Sequence, residues 1–181
     1  MLDRYDSNAT PMLDALHAAG ADQVLASKLA LYGRFVGSWR LDVNFHPYDG
    51  AIRRTEGELH FNWVLGGRAV QDVWIYPARR LRDSVPYEAW HAYGSTFRWY
   101  DPAIDAWRIT WFEPRRPVEM HQIGRAVGTD IVQMGEDHNG LLNRWRFVEI
   151  TDQSFTWLGE RSWDKGSTWT LLMEMHALRD T

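Results

Sequence analysis

Residues 37–45 read Gly37-Ser38-Trp39-Arg40-Leu41-Asp42-Val43-Asn44-Phe45, and apolar side chains alternate with polar ones throughout. Trp39, Leu41, Val43 and Phe45 fall on one face; Arg40, Asp42 and Asn44, with His46 beyond, fall on the other. A period of two is that of a half-buried strand. The same period recurs downstream. One run reaches Val64 with Leu59, Phe61 and Trp63 in phase, and Val70, Asp72, Trp74 and Tyr76 alternate with Gln71, Val73 and Ile75. After a longer loop from Pro77 to about Tyr93, strands are predicted at 95–100, 107–111, 119–123, 130–134, 143–150, 155–162 and 168–176. Turn residues punctuate them: Pro47-Tyr48-Asp49-Gly50, Gly66-Gly67, Asp101-Pro102, Gly128, Asn139-Gly140 and Lys165-Gly166.

About ten short strands with tight turns and no helix between them predict an all-β fold. Consecutive hairpins favour an antiparallel up-and-down β-barrel, because sequence neighbours usually pair and closure removes bare edges. Such a barrel is wide enough to hold one small ligand. Upstream, residues 11–33 read as short helices. Thr10 stands as N-cap before Pro11, with Leu13, Leu16 and His17 on one face. Ala19-Gly20 breaks the segment. A second helix follows from about Asp22, with Val24, Leu25, Leu29 and Leu31 as its apolar side and Gly33 as its stop. These helices are expected to pack across one barrel end, with a homodimer contact as the alternative. Residues 1–181 read as one domain, its barrel spanning 37–178.

Composition narrows the function. The chain of 181 residues is 45% hydrophobic and 24% charged, which is a globular balance. It has no Cys, so disulfides, thiolate catalysis and Cys-ligated metal are excluded. That absence fits a cytoplasmic protein. Net charge is −4 and basic residues are scattered, which argues against nucleic acid. The one dense run, Arg79-Arg80-Leu81-Arg82, meets Asp83 at once and reads as a solvated loop. No apolar stretch approaches the roughly 20 residues that span a bilayer, so no membrane partner is expected. The 11 Trp residues suit strands, and they also suit an aromatic-lined pocket.

The segment Phe35-Val36-Gly37-Ser38-Trp39 resembles the start of lipocalin-like (calycin) proteins, which place Gly-x-Trp on the first strand after a short helix. Leu65–Trp74 and Trp157–Asp164 are similar to uncharacterised bacterial lipocalin-like domains. The resemblance implies a barrel whose Trp39 plugs one end and whose late Arg179 packs on that indole. Lack of Cys and a higher strand count set the chain apart from secreted lipocalins, toward the fatty-acid-binding and intracellular branch.

The leading expectation is binding of a small apolar or aromatic molecule inside the barrel. Trp39, Trp63, Trp74, Trp111 and Trp157 would stack on it, and Gln71, Arg98, Arg146 and Glu160 would hold its polar end. Gln71 and Trp74 fall on opposite faces, so both reach the lumen only across a bulge. The other reading of Arg144 and Arg146 turns them to solvent, with Trp145 and Phe147 inward. The competing reading is a cofactor-independent lyase, isomerase or cyclase using Arg98, Tyr100 and Glu160. No cofactor or metal is required by either. Three Glu-x-His pairs, Glu58/His60, Glu119/His121 and Glu174/His176, put both side chains of each on one strand face and raise a metal as a further option. A more distant resemblance, to nitrobindin-like haem proteins, implies His176 as axial ligand with Met173 and Met175 beside it. Leu41 stands where those proteins carry a further Gly. No Ser sits in a Gly-x-Ser-x-Gly elbow.

Overall fold

The computed structural model describes residues 10–180. Ten antiparallel strands follow one another: β1 (Gly37–Phe45), β2 (Arg53–Val64), β3 (Ala69–Tyr76), β4 (Ala92–Asp101), β5 (Ala106–Glu113), β6 (Val118–Val127), β7 (Asp130–Glu136), β8 (Leu142–Val148), β9 (Ser154–Ser162) and β10 (Thr170–Arg179). Each pairs with its sequence neighbours, and β1 pairs with β10 from Trp39↔Arg179 to Phe45↔Met173, so the sheet is a closed barrel. The fold is the antiparallel up-and-down barrel that the alternation favours.

The two ends differ. Two short helices, α1 (Pro11–Leu16) and α2 (Ala26–Gly33), lie at the end where β1 begins. Leu29 and Tyr32 of α2, with Phe35 after it, are completely or almost completely buried. Phe35 packs on Phe61 at 5.5 Å, Phe147 at 4.8 Å and Phe155 at 4.9 Å, and Tyr32 meets the edge of Trp107 at 4.7 Å. This aromatic plug fills the capped end. The far end is ringed by the β1–β2, β3–β4, β5–β6, β7–β8 and β9–β10 loops.

The helical segment departs from its sequence pattern. α1 stops at Leu16 and buries no residue. Thr10 is its N-cap by position, without a side-chain hydrogen bond. The chain leaves the helix because backbone bonds draw it onto β2: Ala18 N–H donates to Trp63 O at 3.0 Å and Leu65 N–H to Leu16 O at 2.9 Å. Val24 is exposed, and Tyr32 takes the buried place instead. Gly33 ends α2 for space rather than for backbone freedom. A Cβ there would run into the Trp63 indole, and Arg34 is the C-cap.

Trp39 is 1% exposed and donates its Nε1–H to Phe35 O at 2.7 Å. The Arg179 guanidinium lies 4.1 Å from the indole centroid. It also donates to three carbonyls: Asp152 O at 2.7 Å, Val36 O at 2.9 Å and Arg34 O at 2.9 Å. One planar fork thus ties the helical cap, the first strand and the β8–β9 turn together. Arg179→Lys, which keeps charge but loses the fork, is expected to lower unfolding stability by about 2 kcal/mol in urea titration. An unchanged midpoint would show that the clamp contributes nothing.

Candidate functional site

Between the plug and the far end lies a cavity of about 280 Å³. Its wall is indole-rich: Trp74, Trp111, Trp145 and Trp157, with Phe45, Tyr76, Met120 and Met175. The indoles form a chain, Trp74 to Trp157 at 5.5 Å, Trp157 to Trp145 at 5.5 Å and Trp145 to Trp111 at 6.2 Å. Inward-facing glycines let them lie against the wall. A Cβ on Gly159 would stand 2.7 Å from Trp157 Cη2, and one on Gly94 would overlap the Trp111 ring. Leu172, Met173, Arg116 and Val118 complete the wall. Trp90 of the β3–β4 loop stacks on Phe45 at 5.5 Å with rings 2° from parallel.

The floor is charged. Arg98 has no exposed surface, and its Nη1 donates to the Asp72 carboxylate, also buried. Asp72 further accepts from Thr96 N–H at 3.0 Å. Burial pushes the Asp72 carboxyl above its ordinary range, with Arg98 and Thr96 pulling it the other way. The far side of the guanidinium rests on plug rings, 5.2 Å from Tyr32 and 5.5 Å from Phe61. Arg98 Nε and Nη2, Thr96 Oγ1 and Trp157 Nε1 are buried at this cavity and have no hydrogen-bond partner. An unmet buried donor costs about 1–3 kcal/mol, so four such polar atoms mark this part of the cavity as polar.

Of the residues expected to bind, Trp74, Arg98, Trp111 and Trp157 come together here. Trp39 does not; it is the plug of the capped end. Trp63 lies under α2 against Gly33. Gln71 points outward and donates to Ser95 Oγ at 3.0 Å, because β3 runs without a bulge and parity puts Asp72 and Trp74 inside. Glu160 borders the cavity, but it alternates with inward Gly159 and Arg161, and its carboxylate is engaged elsewhere. Arg144 grips it at 2.8 and 3.0 Å, and Arg146 at 2.8 and 3.1 Å. Arg144 also stacks on Trp169 at 4.1 Å. Asn143, Trp145 and Phe147 are the inward residues of β8, so Arg146 is an outer-face residue. Tyr100 shares the Arg98 face but lies at the capped end, hydrogen-bonded to Asp105 beside Lys28. Arg98, Tyr100 and Glu160 therefore do not meet.

The three Glu-x-His pairs stay separate. His60–Glu58, His121–Glu119 and His176–Glu174 contact at 3.4, 2.9 and 3.5 Å within their own strands. Among the described residues no group of three or more His, Asp or Glu is arranged to hold a metal. His176 lies on the outer face, 3.2 Å from Thr156 Oγ1, so it cannot be an axial ligand inside the barrel. Met175 does face the cavity.

Sequence reading did not single out Thr96 and Trp145, which line the cavity, or the buried pair Gln122 and Gln133. Both carboxamides are buried with no partner. Arg98, Ile109 and Gln122 lie in one register row across β4, β5 and β6. The signal was present: Gln122 sits in phase with Met120, and Gln133 with Ile131. A polar residue in the apolar phase marks an interior polar group.

A closed ten-stranded barrel with a Trp–Arg plug and a lined interior space is a lipocalin-like, or calycin-like, barrel. Solved structures share this fold. The S-type phycobiliprotein lyase CPES from Guillardia theta is 11% identical at a TM-score of 0.55, over 88% of this chain and 99% of that one. Rv2717c from M. tuberculosis is 11% identical at a TM-score of 0.52, over 85% and 98%. At such identity the likeness is one of fold. No family model and no curated protein matches the chain. Among the described residues no helix is long and apolar enough to cross a membrane.

Burial works to raise the Glu160 carboxyl, but the forks of Arg144 and Arg146 outweigh it and hold it below the ordinary value of 4.5. A depressed folded-state pKa adds stability above the ordinary value and loses it as pH falls through the folded value. Glu160→Gln is therefore expected to cost about 2 kcal/mol at neutral pH. In a urea series the difference from wild type shrinks below the ordinary carboxylate range. A pH-independent difference would contradict this.

Proposed function

We propose that the barrel binds a small aromatic or conjugated acid, head first. The carboxylate meets the free Nε–H and Nη2–H of Arg98, and the planar body lies among Trp74, Trp111, Trp145 and Trp157. The carrying observation is the completely buried Arg98 with two unpartnered donors at the cavity floor. Arg98 Nη1 is held by Asp72, so the guanidinium is fixed before a ligand arrives, and its free edge matches a carboxylate in bidentate fashion. A volume of about 280 Å³ limits the guest to a small body, just below the roughly 300–1,000 Å³ typical of ligand pockets.

A second reading is lyase-like chemistry on the same guest, and it draws on the like-folded phycobiliprotein lyase. The residues expected to perform it lie apart, and Glu160 is locked by two arginines. Geometry therefore favours binding.

Quenching of intrinsic Trp fluorescence is expected on titration with bicyclic aromatic carboxylates and to be much weaker with their methyl esters. Arg98→Lys keeps a cation for Asp72 but loses the fork, and should weaken carboxylate binding by about ten- to a hundredfold. Equal affinity for acid and ester would remove the head-group assignment; no saturable quenching by either would remove the guest.

The glycine seat offers an independent check. Gly159→Ala should push the Trp157 ring into the lumen and reduce affinity at least about tenfold while the plug keeps the fold. Unchanged affinity would place the guest elsewhere.

A further inference from the structure

The basic run Arg79-Arg80-Leu81-Arg82 is not uniform once folded. Arg79 turns to Glu58, with Nε donating to its carboxylate at 2.8 Å, and Arg80 turns to Glu56. Arg82 has no acidic partner among the described residues. It turns back toward the barrel, its guanidinium 4.3 Å from the Tyr93 ring centroid, with Nε buried and unpartnered. Arg115, from the β5–β6 loop, also lacks an acidic partner and stacks 5.2 Å from the Tyr87 ring centroid.

Arg82 and Arg115 line the same cavity, of about 330 Å³, under the β3–β4 loop at the far rim of the barrel, where Tyr76 and Ala92 close its inner side. Tyr76, Val85, Tyr87 and His91 form its apolar and aromatic sides. His91 Nδ1 accepts the Glu88 N–H at 3.1 Å, which leaves the ring proton on Nε2 as a further donor. Asp83 is the one carboxylate among the lining residues; Glu88 lies beside His91, and Glu113 Oε1 is taken by the Arg115 N–H at 3.0 Å. Tyr76 is shared with the lumen, but the arginines are not.

Stacking covers the face of a guanidinium and leaves its N–H edge free. An edge with a buried, unmet Nε–H suits a planar or tetrahedral oxyanion. We infer that Arg82 and Arg115 form a second site, separate from the lumen, that takes the oxyanion of a small molecule, with Tyr87 and His91 beside its body. The site does not depend on what the lumen holds.

The test uses the full chain and three probes: inorganic phosphate, phenyl phosphate and benzoate, each at constant ionic strength. Binding is followed by calorimetry and by NMR shifts of backbone amides in residues 82–92 and 113–116. Saturable binding of at least one probe is expected, with shifts at these residues. Preference for phenyl phosphate over inorganic phosphate assigns an aromatic ester, and preference for benzoate assigns a carboxylate. Arg82→Gln with Arg115→Gln should weaken binding at least about tenfold. Arg79→Gln with Arg80→Gln removes the same charge from the neighbouring, paired arginines and should leave affinity within about twofold. Equal loss in both double variants would reduce the site to general charge and overturn the inference. So would the absence of saturable binding by all three probes. Lumen quenching should stay unchanged in the Arg82/Arg115 variant, which separates failure of this site from failure of the lumen reading.

Discussion

The buried pair Asp72–Arg98 organises the interior. It sits where the aromatic plug ends and the indole-lined space begins. Two charges without solvent survive only when their remaining hydrogen-bonding capacity is met or surrounded by suitable partners. Asp72 is met by Arg98 and by Thr96 N–H. Arg98 is met on one side by Asp72 and beneath by the faces of Tyr32, Phe61 and Phe147. The plug therefore does more than fill an end: its ring faces stabilise a cation that apolar side chains of other shape would leave bare.

The barrel separates apolar filling from polar recognition along its axis. At the capped end, helix α2 and the Trp39–Arg179 contact close the sheet with dense aromatic packing. Beyond Arg98 the wall is lined by large indoles that stand back on glycines, so the same residue type fills one half and lines a space in the other. What differs is the neighbour each ring lies on. Phe147 packs on the rings of Phe35 and Phe155, whereas the Trp157 and Trp111 rings lie over Gly159 and Gly94.

Outside the barrel, charge follows a different rule. Arg144, Arg146 and Glu160 form a gripped triad on the outer face, and Arg79 and Arg80 each find a glutamate. These groups support structure by pairing with one another. Arg82 and Arg115 stand apart because their guanidiniums lie on tyrosine rings and, among the described residues, find no carboxylate.

The alternation from Gly37 onward determined the strands and their order and favoured a barrel, because a period of two reads as a sheet and short turns pair neighbours; the closure itself rests on the long-range pairing of β1 with β10. The Gly-x-Trp start and the late Arg marked the plug. Which arginine is interior was not legible in the sequence: Arg98 alternates with the apolar Phe97 and Trp99, and Arg146, expected at the ligand's polar end, lies on the outer face opposite Trp145 and Phe147. What parity does not carry is position along the axis. Trp39 and Trp74 are both inward, yet one plugs and the other lines a cavity, since depth depends on strand stagger and on where α2 lands. Nor does it show that Glu160 would be taken by two forks from the next strand, or that α1 would be drawn onto β2 before its apolar face was used. Those outcomes belong to contacts between residues distant in sequence, and only the folded chain brings them together.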